Sequence, residues 1–294
     1  MGHVTVSHAA IDTEVGFVGL GNMGLPMARN LLDAGVNVSG FDLDTDRLEK
    51  FEQAGGDPAA DLTGIADCEI VMVSLRSPDQ VRQVSDELFG NMDPDSIFVD
   101  MSTIDPLTTK QIAEIGEDNG ISVVDAPVSG GVVGAEEGTL SIIVGGDDDD
   151  IAAVRELFEV LAEDVFHVGS TGAGQTVKLA NQILIGAQAA IVGEAFRFGE
   201  ANGIDSAVLY DVLSKSAGSS WILEEKGRRI VEDDFEPGFD INLQYKDLKL
   251  SQEVAQELDV PMYMLSTAVE EYVQARREGL GNQDHTAMYK LFND

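Results

Sequence analysis

The sequence predicts an α/β fold: a doubly wound parallel sheet over residues 1–172, followed by an all-helical domain over residues 173–294. Three observations predict it. Short β-rich runs, apolar nearly throughout, recur over the first 170 residues; amphipathic helical patterns separate most of them; and after Gly172 the strand signals stop. Strands apolar on both faces need cover on both faces, which alternating helices supply. Right-handed crossovers then make the sheet doubly wound.

The elements follow in order. VGFVGL, VNVSGF, EIVMVSL, SIFVDM, ISVVDA, LSIIVGG and VFHVG read as strands. MGLPMARNLLDAG, TDRLEKFEQAG, SPDQVRQVSDELFG and TTKQIAEIGEDNG read as the helices between them. DDDD at 147–150 precedes IAAVRELFEVLA and reads as a solvated helix N-terminus, its carboxylates facing the positive end of the helix dipole. Residues 175–202 read as one long helix, apolar on nearly all sides and stopped by Gly203 at a C′ position. SAVLYDVLSK, LQYKDLKLSQEVAQEL and YMLSTAVEEYVQARREG give further helices. Trp221 and Phe239, as lone aromatics, fit a core better than a pocket wall.

Composition excludes several classes. The chain carries 53 acidic and 18 basic residues, a formal net charge of −35, so nucleic acid and anionic membranes are poor partners. Crowded carboxylates repel one another less in concentrated salt, where the Debye length falls to about 3 Å. The scarcity of lysine therefore points to a halophile's protein, with an acidic mesophilic protein as the alternative. One cysteine, Cys68, excludes an internal disulfide and a multi-thiolate metal site, and it reads as a small buried apolar residue. No metal is expected. Neither a signal peptide nor a transmembrane run is legible, so a cytoplasmic protein is expected, and residues 1–13 read as a loose leader.

GLGNMG at 19–24 places Gly19, Gly21 and Gly24 in the G-x-G-x-x-G spacing, between a strand and a helix. In that context it is a Rossmann-type dinucleotide turn: one glycine for the bend, one for close approach of the pyrophosphate, one for helix packing. Asp42 ends the second strand, where a carboxylate accepts hydrogen bonds from the adenosine ribose and repels a 2′-phosphate. Leu43, Asp44 and Thr45 offer no arginine, so NAD is expected over NADP. A turn carboxylate capping the next helix is the structural alternative for Asp42.

Three stretches could build a reaction centre. DMSTIDP ends a strand with Ser102 and Thr103, and Ser102, Thr103 or Asp105 could equally cap the helix begun at Pro106. Ser129-Gly130-Gly131 sets a hydroxyl beside two unshielded backbone N–H groups, a plausible carboxylate loop or a plain turn. In GAGQTVKLANQ, helical spacing puts Gln175, Lys178, Asn181 and Gln182 on one face, with Val177, Ala180 and Leu184 elsewhere. A lysine beside an amide suits proton transfer in alcohol oxidation. On spacing alone, a lysine snorkelling to water explains Lys178 better.

These stretches together resemble the β-hydroxyacid dehydrogenases, the family of 3-hydroxyisobutyrate dehydrogenase and tartronate semialdehyde reductase. GFVGLGNMGLPMARNL, DMSTIDP, DAPVSGGVVGAEEGTLSIIVGG, GAGQTVKLANQ, KDLKL and GLGNQDHTA carry the resemblance, in order, from Val15 onward. The resemblance implies that Lys178 is the catalytic residue. It implies that Asn181 helps bind substrate and that Ser129, Gly130 and Gly131 hold the substrate carboxylate. Cofactor contacts are implied for Gly19, Gly21, Asn22, Met23, Gly24, Asp42, Leu75, Thr103 and Lys246. Asp247 is implied in a closing contact beside Lys246. The family also implies a homodimer or homotetramer assembled through the helical domain, and a small anionic hydroxy acid as substrate.

The reaction expected is NAD-dependent interconversion of a short 3-hydroxy carboxylate and its 3-oxo form. Tartronate semialdehyde or sulfolactaldehyde reduction is the alternative, and a dinucleotide-binding sensor or scaffold that lost the chemistry is the alternative of another class. Decarboxylating 6-phosphogluconate dehydrogenases typically show K-x-x-H-N where this chain has Lys178-x-x-Asn181-Gln182, and imine reductases usually lack the lysine. Gln182 departs from the second asparagine common in the family.

Overall fold

The computed structural model describes residues 13–292, and the expected leader over residues 1–13 lies almost wholly outside them. The chain divides into two compact units, one running to Lys178 and one from Leu179.

In the first unit, β1 (Glu14–Val18), α1 (Gly24–Asp33), β2 (Asn37–Phe41), α2 (Thr45–Gln53) and the two-residue β3 (Asp57–Pro58) open the chain. They are followed by β4 (Ile70–Val73), α3 (Pro78–Phe89), β5 (Ile97–Asp100), α4 (Pro106–Asp118) and β6 (Ser122–Asp125). Then come β7 (Val128–Ser129), α5 (Gly131–Glu137), β8 (Leu140–Gly145), α6 (Asp148–Leu161) and β9 (Ala162–Gly169). The strands form one sheet in the order β3-β2-β1-β4-β5-β6-β8-β7, with β9 also on β8. The order reverses at β1, as a doubly wound sheet requires.

The strands from β3 to β6 are parallel. The sheet is not parallel throughout, however: β8 runs antiparallel to β6 and β7. The segment between Asp125 and Leu140 holds only β7 and the seven-residue α5. Part of it is spent on β7, which pairs antiparallel with β8, so β8 re-enters in the opposite sense to β6. The 14-residue α6 then carries the chain over to β9, parallel to β8.

Helix starts are written locally. Asp44, Ser77 and Asp105 cap α2, α3 and α4 through their side chains, and Pro78 and Pro106 take the first turns. Each cap contributes about 1 kcal/mol. Asp148, Asp149 and Asp150 occupy the first turn of α6. Both sheet faces are covered. One cluster joins Phe17, Met27, Leu31, Phe51 and Phe158. The other joins Val71, Val73, Leu88, Phe98 and Ile112, and also takes in Cys68, whose thiol burial pushes up to about 11.

α7 (Ala173–Ala201) starts within the first unit and continues into the second. It ends as the glycine predicts. Gly203 takes a φ of +82°, its N–H donates to the Glu200 carbonyl, and the Ile204 N–H donates to the Gly199 carbonyl. By length and composition α7 could span a membrane; its apolar window has a mean hydropathy of 1.2, and 44% of that window is buried. Yet its buried positions include Gln175, Lys178 and Gln182, while Val177, Leu184 and Ile191 are exposed.

The second unit adds α8 (Ser206–Leu213), α9 (Trp221–Val231), α10 (Ile241–Glu257), α11 (Tyr263–Arg277) and a 3₁₀ segment over His285–Phe292. The helical patterns of the sequence miss α9, whose run is interrupted by Gly227. That glycine is a packing requirement, since a Cβ there would lie 3.2 Å from the rings of Phe196 and Tyr210. Trp221 is not core: it begins α9, 66% exposed. Phe239 is half-buried, edge-on to His285 at 5.9 Å between ring centroids.

Candidate active site

The glycine turn follows β1. Gly19 has a φ of +92°, and a Cβ on it would strike the Ser74 carbonyl. A Cβ on Gly24 would collide with the Gly19 carbonyl, so this glycine permits the tight approach of α1 to the turn. Around Gly21 the space is open, with only an Arg47 nitrogen within 4 Å of a Cβ placed there. Met23 stands at the N-cap of α1 without a side-chain cap bond, and no acidic residue lies in the first turn. Helix N–H groups and an open cradle meet here with no acidic residue in the first turn of α1, and this fits a dinucleotide pyrophosphate.

Asp42 lies beside the turn. One carboxylate oxygen accepts the Leu20 N–H at 2.8 Å and the other accepts the Asp44 N–H at 2.9 Å. The helix cap is Asp44, not Asp42. Sequence reasoning missed Arg47, which lies 3.2 Å from Asp42 and 3.4 Å from Asp44. Looking only at residues 43–45 for an arginine overlooked the first turn of α2, which returns residue 47 to the strand end. Leu43 is 90% exposed.

The ends of β4 and β5 are stitched together: the Leu75 N–H donates to the Ser102 hydroxyl at 2.9 Å, and the Ser102 N–H donates to Asp100. Ser102 thus holds the loop that presents the half-buried Thr103, while Asp105 is the cap of α4. Ser129 is half-buried on β7, opposite Ser141 on β8, and Gly130 and Gly131 are exposed. Their φ values of 133° and 65° explain why glycines stand there. The segment is therefore a strand end leading into α5, not a free loop.

Gln175 joins α7 to the end of β5. Its amide donates to the Ser102 carbonyl at 2.9 Å and accepts the Ile104 N–H at 3.1 Å. Lys178, one turn further, is 6% exposed. Snorkelling is thus excluded for Lys178, whose side chain is buried.

In the second unit Asn181 is half-buried and Gln182 is buried. Gln182 explains its own departure from the usual asparagine. Its side-chain amide donates to the Asp247 carboxylate on α10, while its main-chain carbonyl, which any residue would supply, accepts from the buried Gln244 side chain at 3.1 Å. Asp247 also ion-pairs with Lys246 at 2.8 Å. The carboxylate therefore ties α10 to α7 and holds Lys246.

Comparisons with known proteins agree with this layout. Residues 14–169 match the family described as the NAD binding domain of 6-phosphogluconate dehydrogenase. Residues 172–292 match the one described as the NAD-binding domain of NADP-dependent 3-hydroxyisobutyrate dehydrogenase. The 2-hydroxy-3-oxopropionate reductase of Escherichia coli is 38% identical over 283 residues, 94% of this chain and 95% of that protein. The 2-(hydroxymethyl)glutarate dehydrogenase of Eubacterium barkeri is 36% identical over 284 residues, 95% of this chain and 94% of that protein. The crystal structure of 3-hydroxyisobutyrate dehydrogenase from Salmonella typhimurium matches with a TM-score of 0.87 at 32% identity, covering 95% of this chain and 100% of that one. With a dinucleotide turn, a buried lysine on α7 and this likeness along nearly its whole length, the chain belongs to the β-hydroxyacid dehydrogenases, NAD(P)-dependent oxidoreductases acting on the CH–OH group of hydroxy acids.

Proposed function

We propose that the chain interconverts a short 3-hydroxy carboxylate and its 3-oxo form, with 3-hydroxyisobutyrate-like acids as the leading substrates. The observation that carries this reading is the buried polar face of α7, where Lys178 follows Gln175 by one turn and both side chains are buried. The bound nicotinamide supplies the hydride acceptor or donor. Lys178 takes the hydroxyl proton in oxidation and returns it in reduction. Asn181 orients the substrate oxygen, and Ser129 with the Gly130 and Gly131 N–H groups holds the carboxylate. Gly19, Gly21, Asn22, Met23 and Gly24 cradle the pyrophosphate, while Leu75, Thr103 and Lys246 contact the rest of the cofactor.

We assign NAD as the preferred cofactor because Asp42 ends β2. Arg47 moderates that preference: its guanidinium already balances Asp42, and freed of the carboxylate it would attract a 2′-phosphate. A panel of 3-hydroxyisobutyrate, glycerate, 3-hydroxypropionate and dihydroxypropanesulfonate, assayed with NAD and NADP, tests both parts. At least one acid should give NADH. Asp42→Ala with Leu43→Arg should shift kcat/KM toward NADP by about 10-fold or more, since removal of one repelling charge and gain of one attracting charge are each worth about 1 kcal/mol. No reduced cofactor from any acid would overturn the reaction assigned, and an unchanged cofactor ratio would overturn the role of Asp42.

The charge of −35 supports a halophilic, cytoplasmic setting. Val177, Leu184, Ile191 and Phe198 are exposed and recur every two turns along α7, and α8 buries none of its residues. This apolar stripe on a strongly acidic chain supports a homo-oligomer built through the helical domain. Light scattering and circular dichroism across a salt series should show a folded dimer or tetramer above about 1 M salt and loss of structure in dilute buffer, where screening fails. A folded monomer throughout the series would contradict both assignments.

A further inference from the structure

We propose that Asp125 is a positioning residue for Lys178, clamping the first turn of α7 to the end of β6 so that the lysine is held at a fixed depth and rotation. The proposal rests on the reading of Lys178 as the group that moves the proton.

Asp125 is fully buried. One carboxylate oxygen accepts the Gly172 N–H at 2.6 Å and the other accepts the Gln175 N–H at 2.8 Å. The first N–H groups of a helix have no acceptor within it, and a side chain close in sequence usually supplies one. Here the acceptor comes from a strand that precedes α7 by nearly fifty residues. A local cap would travel with the helix. A cap from the sheet ties the helix to the sheet.

The surroundings are shaped for this carboxylate. A Cβ on Gly145 would lie 2.6 Å from one of its oxygens, and a Cβ on Gly174 would lie 2.8 Å from the other. Gln175 adds a second anchor through the Ser102 carbonyl and the Ile104 N–H. The first turn of α7 is thereby bonded to the ends of two adjacent strands. Lys178 follows Gln175 by three residues, about 4.5 Å along the helix axis. A slip of the first turn moves Lys178 by the same amount, and misplacing a reacting group by about 1 Å can cost about 100-fold in rate.

Burial pushes the Asp125 carboxyl up to about 6, and the N–H groups of Gly172, Gln175, Asp125 itself and Gly174 only partly oppose that rise. Burial is the largest cause of the shift. Two lysines belong to the elements around the clamp: Lys110 on α4, whose methylene would lie 3.1 Å from a Cβ on Gly172, and Lys178 on α7 itself. A folded-state value above the ordinary 3.8 means that ionisation at neutral pH opposes folding. An amide of the same shape would escape that cost but could accept only one of the two N–H groups as well.

Asp125→Asn tests the proposal, with Lys178→Ala as the comparison, both in salt that keeps the wild type folded. For Asp125→Asn, the NADH dissociation constant should stay within about 2-fold, the melting temperature near pH 8 should hold or rise, and kcat should fall by about 10–100-fold. The wild-type pH profile of kcat should show an acid limb near pH 6, and the variant should lack it. A kcat within about 2-fold of wild type with the limb retained would overturn the proposal. So would a parallel loss of melting temperature and NADH affinity, which would mark a merely structural role. If Lys178→Ala keeps its rate, the assignment of Lys178 fails; if that rate collapses while Asp125→Asn is unaffected, only the clamp fails.

Discussion

Replacing Lys178 with alanine is expected to lower kcat by about 10²–10⁴-fold, the usual contribution of a positioned general acid–base, with NADH affinity nearly unchanged. The substitution is clean. Alanine is the better helix former, and the two strand-end anchors of α7 sit upstream at Gly172 and Gln175. What is lost is the buried amine. Lys178→Arg should not rescue the rate: a guanidinium keeps the charge but does not give up its proton near neutral pH. A rise in KM should accompany the fall in kcat, because the ammonium also attracts an anion into a protein whose net charge of −35 repels it. Steady-state kinetics with the best acid of the panel give both numbers. A kcat within a few-fold of wild type would mean that another group moves the proton.

The largest effect on stability is expected from Asp284→Ala, a loss of about 3–5 kcal/mol. Asp284 is fully buried in the second unit. It takes ion pairs from Lys226 at 3.1 Å and Arg229 at 2.9 Å, and accepts the N–H groups of Gly238, Phe239 and Thr286 and the Thr286 hydroxyl. One carboxylate thus joins α9, the segment before α10 and the 3₁₀ segment. Alanine leaves two poorly solvated cations without their counter-ion, the costly way to break a buried pair. Burial would raise the Asp284 carboxyl, but His285, Lys226 and Thr286 hold it well below the usual carboxylate range. Its contribution is therefore complete above the unfolded-state value of about 4 and is lost only as pH falls further.

Its neighbour His285 behaves differently. Burial lowers it to about 4, so stability drains away earlier, as pH drops from about 6.5 towards 4. Asp125 works in the opposite sense between about 6 and its unfolded value, and offsets part of that loss. Denaturant titrations of wild type and Asp284→Ala at neutral pH measure the main effect, and a loss below about 1 kcal/mol would refute it.

Much of this was legible before any coordinates. The glycine spacing, the carboxylate at the end of β2, the extent of α7 with Gly203 at its stop, and the grouping of Gln175, Lys178, Asn181 and Gln182 on one helix face all follow from local rules of turn geometry and helix period; that Lys178 is buried rather than snorkelling does not, since spacing favours the opposite. α9 escaped because an interior glycine mimics a loop signal, and its reason lies in the rings of Phe196 and Tyr210, far off in sequence. The turn of β8 against β6 escaped because strand composition carries no direction.

The sequence by itself determined the fold class and the dinucleotide turn, because each depends on residues within a few positions of one another, while Lys178 became the candidate through the ordered motifs along the chain and not through its local spacing. Only the tertiary structure decided that Arg47 stands on Asp42, that Gln182 serves Asp247, and that Asp125 holds the start of α7. These are contacts between groups brought together by the folding of separate elements. Their partners lie at separations no periodicity records, and a buried carboxylate reveals its role only when its donors are in view.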